Sequence, residues 1–422
     1  MGLINVDDLQ PGMTLECDLH TPDGRFLLPE GMALEAGHIK TCKAWGVNHV
    51  TVSGQNQDKL NADKMAAIDP EILKESKRFI KPFVEKCNYR HPAMAEIIRI
   101  AVKQTARRIE NGTFEPPVSL DTEDFAHLDN PPIESSSKDN MSALLMVRQQ
   151  SELISLPDIF YKIIEVMESP FSSAKHIADV ISKDSSLSAK LLRLVNSAFY
   201  GFPSKIDSIS RAVAILGTKE LTSLAMGILI IDVFDGIPRQ VLDMERFWKH
   251  SIGCAVFSSL ISTRKLGFSK ERFFVAGLLH DIGRLILIKA VPEKCMQTFY
   301  LSQKEKIPLY RAEQEIFGFD HARVGGLLCR EWKMPVILEK MVNFHHNPSK
   351  ATNFPDVLNI YLANIMTMAL NPGEAGEGVF PVLNEKAWDD LGLDYSDLPS
   401  IVHQAEKNIS EIVHIFLNRS KA

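Results

Sequence analysis

The segment Leu278–Leu287, LLHDIGRLIL, sets a histidine, an aspartate and an arginine inside a run of leucine and isoleucine. A lone carboxylate in such surroundings costs several kcal/mol, so Asp281 needs a partner or solvent. A divalent cation would satisfy both polar neighbours, neutralising the carboxylate and taking a lone pair from the neutral imidazole of His280. An adjacent His-Asp pair alone fits a hydrogen-bonded core pair as well, and the other histidines turn the reading toward metal. Five of the 13 histidines fall between residues 250 and 346 on or beside apolar helical segments.

His250 falls in the first turns of MERFWKHSIGCAVFSSLISTRKLG, with Asp243 as N-cap and Gly267 beyond the end. His321 opens a helix in GFDHARVGGLLCREWKMP behind Asp320 in the cap position. The positive helix end disfavours imidazolium there, so His321 is expected to be neutral and fit to ligate. His345 and His346 close a third helix, VILEKMVNFHHNP, stopped by Asn347-Pro348. On one continuous helix Gly277, Asp281 and Arg284 would share a stripe, apolar almost all round and therefore central. Arg284 has two readings, a bidentate phosphate contact or a salt bridge to Asp281 or elsewhere.

The elements that must hold these residues read as helices. From residue 141 onward, apolar-periodic segments are separated by Pro170, Gly201-Phe202-Pro203, Gly217, Gly236, Gly267, Pro292, Pro335 and Pro348, and no alternation suggests a sheet. Upstream, residues 1–54 carry Pro and Gly turns (TPDGRFLLPEGM) and the β-branched run NHVTV, predicting a small β-rich module with a helix over 35–45. Residues 55–112 form a helical segment, helical from about 68 and stopped by Asn111-Gly112. Residues 113–140, with four prolines and an acidic run, read as a linker. Residues 141–370 make the principal domain, and 371–422 a looser tail ending in a helix over about 400–418.

Composition bounds the function classes. The 422 residues are 45% hydrophobic and 24% charged, ordinary globular values. A net charge of −6 argues against a general nucleic-acid binder, and Lys103, Arg107 and Arg108 read as a solvated helix face. Six cysteines without paired spacing read as reduced packing residues. MGLINVDDLQ lacks the basic and apolar runs of a signal peptide, and LAMGILIIDVF is too short to span a bilayer. A cytoplasmic protein without membrane association is expected.

The order His, then GLLHDIGRL, then FGFDHARVG, then HH resembles the HD superfamily of metal-dependent phosphohydrolases. SAKHIADVISKDSSLSAKLLRLVNSAFYG followed by IDSISRAVAILG is similar to the front half of its HDOD signalling branch, over about residues 153–349 with a helical tail to 370. Residues 1–54 are similar, more weakly, to modules that precede HD-type domains in bacterial signalling proteins. The resemblance implies a mainly α fold and ligand positions at His250, His280, Asp281, His321, His345 and His346. The superfamily's closing aspartate falls on Asn364 in NIYLANIMTM, a neutral and poorer ligand. The GYP segment of related cyclic-dinucleotide phosphodiesterases is absent from HHNPSKATNFP.

Both departures argue against hydrolysis. The expectation is a bacterial signal-transduction protein that binds a divalent transition metal, iron or manganese before zinc, and acts through a regulatory protein partner with a nucleotide or phosphate as a further ligand. The rival is a working phosphohydrolase of cyclic nucleotides or other phosphodiesters. A third reading is a scaffold with core histidines. Asn196, Tyr200 and Gly201 are read as packing residues of a tight helix–loop element.

Overall fold

The computed structural model describes residues 2–21, 24–45, 47, 49–54, 68–116, 142–154, 156–169, 172–202, 204–234, 237, 241–263, 270–351, 355–371 and 379–417. The expected linker from 117 onward, residues 55–67 of the helical segment, and Pro170, Pro203, Gly236 and Gly267 lie outside them. Strand structure among the described residues is confined to the N-terminal module, and the regular elements described in the rest of the chain are helices.

The module contains β1 (Gly2–Asn5), β2 (Leu19–His20), β3 (Phe26–Leu28), α1 (Ala36–Ala44) and β4 (His49–Val52). β1 pairs antiparallel with β4, from Gly2 opposite Val52 to Asn5 opposite His49. β2 and β3 form a second antiparallel pair. Pro22 and Asp23 of the expected turn between them lie outside the described residues. Gly24 takes φ +84° and donates to the Thr21 carbonyl at 2.8 Å. Ile4, Leu15, Leu34, Val50 and Val52 form the module's buried core. Helices α2 (Pro70–Val84) and α3 (Pro92–Glu110) follow, and α3 ends at Asn111 with Gly112 at φ +66°.

The chain divides into two compact units, one from residues 1–81, 89–114 and 393–404, the other from 82–88, 115–392 and 405–422. The second holds α4 (Ala143–Leu153), α5 (Asp158–Glu168), α6 (Ala174–Ser182), α7 (Ser185–Val195), α8 (Ile209–Leu216) and α9 (Thr218–Ile231). These are followed by α10 (Met244–Ser262), α11 (Lys270–Leu279), α12 (Ile282–Ala290), α13 (Pro292–Glu305) and α14 (Leu309–Phe317). Then come α15 (His321–Glu331), α16 (Val336–Phe344), α17 (Val357–Leu370) and α18 (Glu385–Leu391), while α19 (Leu398–Leu417) has its first residues in the first unit and the rest in the second.

Side-chain caps start many of these helices. Ser173, Asp184, Ser208, Asp243 and Asp320 each accept a backbone N–H from the first turn of α6, α7, α8, α10 and α15, satisfying donors that would otherwise lack partners. Asn196 braces the loop after α7. Its amide donates to the Leu192 and Ile206 carbonyls (both 2.8 Å), and its oxygen accepts from Ile206 N (2.7 Å), as the packing reading requires.

Two glycines bring together the helices that matter for the site. A Cβ on Gly277 of α11 would lie 2.6 Å from the backbone of Ala255 in α10. One on Gly283 of α12 would lie 2.0 Å from the His321 carbonyl at the start of α15. The expected single helix through Gly277, Asp281 and Arg284 is not formed. α11 ends at Leu279 and α12 begins at Ile282, leaving His280 and Asp281 in the break. The break frees α12 to seat Gly283 on α15 while α11 stays against α10. Asp281 and Arg284 nevertheless remain one turn apart, with Arg284 N bonded to Asp281 O at 2.9 Å.

Candidate metal centre

The elements converge on Asp281. His250 projects from α10, His280 and Asp281 from the α11–α12 break, and His321 is the first residue of α15. His345 caps the C-terminal end of α16, and His346 follows it. The Nε2 atoms of His280, His321 and His345 lie 3.2, 3.1 and 3.5 Å from Asp281 Oδ1, and His250 Nε2 lies 3.9 Å from Oδ2. His346 Nε2 is 2.9 Å from His321 Nε2, and His250 Nε2 is 3.3 Å from His280 Nε2. All six sequence-predicted donors are thus together. Asn364, in α17, lies alongside His250, where its side chain is placed to accept from the imidazole.

The outer nitrogens fix the direction of the inner ones. His280 Nδ1 lies 2.7 Å from the Gly277 carbonyl and His345 Nδ1 2.7 Å from the Val342 carbonyl. His321 Nδ1 lies 2.6 Å from Glu313 Oε2, which also accepts from the His321 backbone N–H at 2.8 Å. Such acceptors hold the proton on Nδ1 and turn the Nε2 lone pair inward. The Nε2 atoms of His280, His321 and His345 therefore face one carboxylate oxygen, an arrangement that a cation between them would satisfy once any proton on His321 is displaced. An octahedral ion with bonds of about 2.1 Å separates cis donors by about 3.0 Å and trans donors by about 4.2 Å. The spacings of 2.9–3.3 Å fall near the cis value, and those of 3.5 and 3.9 Å lie between the two. Two donor groups, His250–His280–Asp281 and Asp281–His321–His345–His346, each have ligand atoms within 4.8 Å of one another and share Asp281.

Burial, with Arg284 nearby, pushes His250 down to about 4 against the pull of Asp281, and burial pushes His280 down to about 3. His346 is likewise driven well below its usual value by burial and by His345 and His321. Asp281 is held well below the usual carboxylate range, because the surrounding imidazoles outweigh the opposing cost of its burial. His321 departs from the sequence expectation. Burial favours its neutral form, but Glu313 and then Asp281 overcome that and raise it well above the usual imidazole value. Two carboxylates outweigh the helix end, so a cation binding here must displace a proton from His321.

Arg284 takes the salt-bridge geometry. Its Nη1 lies 3.2 Å from Asp281 Oδ2, its side chain is 1% exposed, and the Phe247 and Phe299 rings flank it at 6.0 and 5.8 Å.

Glu313 was not visible as a site residue in the sequence. Its only signal was a carboxylate on the apolar face of α14, one turn after Leu309, both of them buried. Beside the cluster lies a cavity of about 290 Å³, lined by residues that include Tyr310, Arg311, His345, His346 and Asn364. Tyr310 stacks on His346 at 4.3 Å with an interplanar angle of 17°. Neither Tyr310 nor Arg311 belongs to a sequence motif that pointed here.

Residues 153–348 match the HDOD domain family. An uncharacterized protein of Treponema pallidum (strain Nichols) is 25% identical over 253 residues, covering 57% of this chain and 47% of that protein. The chain thus spans about half the length of this curated relative. A solved candidate phosphohydrolase from Shewanella amazonensis SB2B has a TM-score of 0.52 at 23% identity, covering 65% of this chain and 98% of its own. An HDOD domain protein of unknown function from Geobacter sulfurreducens has a TM-score of 0.49 at 26% identity, covering 65% and 97%. The Shewanella likeness bears on the fold. Among the described residues, no helix is long and apolar enough to cross a membrane.

Proposed function

We propose that this chain, which carries an HDOD domain in residues 153–348, is a regulatory protein. Its histidine cluster binds a divalent metal, and its output passes to a partner protein rather than through rapid turnover. The observation that carries the metal reading is the set of three imidazole Nε2 atoms turned on one Asp281 oxygen at 3.1–3.5 Å. The ligands would be His250, His280, Asp281, His321, His345 and His346. More than four nitrogen and oxygen donors suit octahedral iron or manganese better than tetrahedral zinc. A bound ion would supply positive charge to an oxyanion in the adjoining cavity. Around it, Glu313 orients His321, Arg284 balances Asp281, and Tyr310 covers His346.

Elemental analysis of untagged protein tests this directly. The expected result is about one or two bound ions per chain, lost with chelator together with a fall in melting temperature. Metal-free protein indifferent to chelator would make the histidines core residues.

The hydrolase reading draws support from the cavity against His345 and His346, which offers room for a substrate. Asn364 weighs against it, because a neutral amide replaces a carboxylate and weakens the hold on an ion that must activate water. Negligible turnover on cyclic dinucleotides, nucleotides and generic phosphodiesters is expected. A metal-dependent rate of about 1 s⁻¹, abolished by Asp281→Ala, would reverse the choice. The partner arm draws support from Leu153, Tyr161 and Val336, large apolar side chains left 76%, 56% and 61% exposed. Tyr161→Glu should abolish downstream output in cells with metal content unchanged, and unaltered output would remove that arm.

A further inference from the structure

We propose that a groove lined by residues at the end of α4, along α5 and at the end of α15 docks a basic segment of a partner protein, with an apolar anchor side chain set between lysines or arginines. Such docking rests on the partner reading above only for there being a partner, and it needs no metal.

The floor of the groove is apolar and already in place. Ile154, Leu156, Ile164 and Trp332 line a space of about 850 Å³, and all four are buried. The buried Phe160 and Phe234 rings pack against the Trp332 indole, with ring centres 6.1 and 6.4 Å away. A preformed floor spares a partner part of the ordering cost of binding. Tyr161 lines the same space and is 56% exposed, an aromatic ring of the kind that carries interface energy.

The rim is acidic. Of the twelve described lining residues, Glu152, Asp158, Glu165, Glu168 and Glu331 are carboxylates and Lys333 is the cation. Acidic residues number 53 of 422 in the whole chain, so the excess belongs to the groove and not to the composition. Asp158, Tyr161, Glu165 and Glu168 follow at steps of three, four and three residues, which sets them along one stripe of α5. Glu165 and Glu168, one turn apart, repel each other. Lys162 of α5 does not line the groove. Lys333 offsets only Glu168, at 3.9 Å with both side chains more than half exposed, where an ion pair adds little. Glu152, Asp158, Glu165 and Glu331 have no ion pair among the described residues.

A cationic segment with an apolar anchor satisfies both halves of this surface. The anchor fills the floor, and flanking ammonium or guanidinium groups meet the rim while their alkyl stems lie along apolar surface. The same potential turns acidic partners away. Other occupants fit less well. Residues 117–141 of this chain carry Asp121, Glu123, Asp124, Asp129, Glu134 and Asp139 against Lys138, the wrong sign. A second copy brings the same net charge of −6.

The test uses the full chain and the fluorescence anisotropy of three labelled synthetic peptides. The probe is a short amphipathic peptide of leucine and lysine; in its two controls serine replaces leucine, or glutamate replaces lysine. Each is titrated against wild type, Tyr161→Ser, Glu165→Lys/Glu168→Lys and Glu315→Lys/Asp389→Lys. The last variant makes the same change of charge at exposed positions that do not line the groove. Expected is saturable binding of the leucine–lysine peptide, roughly tenfold or more weaker in the groove double variant, several-fold weaker in Tyr161→Ser and within about twofold in the distant variant. The serine peptide should bind at least about tenfold more weakly to wild type, and the glutamate peptide not at all. The proposal is overturned if the groove double variant or Tyr161→Ser binds within twofold of wild type, if the distant variant loses as much, or if either control peptide binds as tightly. Self-association of the free protein in the ultracentrifuge, lost in Glu165→Lys/Glu168→Lys, would give the groove to a second copy and overturn it as well. Groove-dependent peptide binding with unaltered cell output in Tyr161→Glu would remove the signalling role and leave the binding chemistry standing. Output lost in Tyr161→Glu without such peptide binding would do the reverse.

Discussion

Replacing Glu313 by glutamine separates electrostatic support of the centre from its shape. The Glu313 carboxylate accepts from His321 Nδ1 at 2.6 Å and from the His321 backbone N–H at 2.8 Å, both residues being buried. Glutamine keeps an acceptor oxygen of the same reach and removes the charge. Losing an outer partner of this kind weakens metal binding about 10–100-fold, or roughly 1.4–2.7 kcal/mol. A second effect has the opposite sign. Glu313 is the largest charge holding a proton on His321, so its removal also weakens the proton that a metal must displace. The deficit should therefore be full at pH 8.5, where proton competition matters least, and visibly smaller at pH 6. Competition of Mn(II) against a fluorescent chelator at both pH values measures it, with circular dichroism as a check on folding. A variant that binds within twofold of wild type at pH 8.5, or with an equal deficit at both pH values, would refute the reasoning.

Three further outcomes follow from the same geometry. In chelator-treated protein, His250 and His280 sit near 4 and 3 when folded against 6.5 in the unfolded chain, so only the unfolded chain takes up those protons as pH falls from 6.5. Stability should then drop by up to about 1.4 kcal/mol per pH unit for each histidine, while raised His321 opposes this slope near pH 6.5 and ceases to do so as the unfolded chain also charges at lower pH; urea melts flat between pH 4.5 and 5.5 would contradict this. Asp281→Ala should lose the metal and also lower stability by up to about 3–5 kcal/mol, because it breaks a buried ion pair with Arg284; a variant as stable as metal-free wild type would show that the pair adds nothing. Gly283→Ala drives a methyl into the His321 carbonyl, 2.0 Å from the ideal Cβ position, and an overpacking cost of about 1–3 kcal/mol should lower the melting temperature by several degrees, whereas an unchanged melt would mean that α12 and α15 can part freely.

Much of this protein was legible along the chain because the signals are local. Caps such as Asp243 and Asp320 start the helices where expected, since an N-cap side chain bonds to a backbone N–H two or three residues away. The candidate ligand positions could be named because histidines and an aspartate stand in apolar helical surroundings, where such residues are costly without partners, and because their order along the chain resembles that of a known family. Periodicity shows which face of a helix is buried but not what it is buried against. Tertiary packing alone decided that α11 and α12 break at His280–Asp281, because the break serves contacts with α10 and α15, far apart in sequence. It decided that Arg284 is closed in between two phenylalanines beside Asp281, while Arg311, in no motif, lines the cavity. And it reversed the charge expected on His321, since the helix end acts over one turn but the approach of Glu313 and Asp281 depends on where separate elements come to rest.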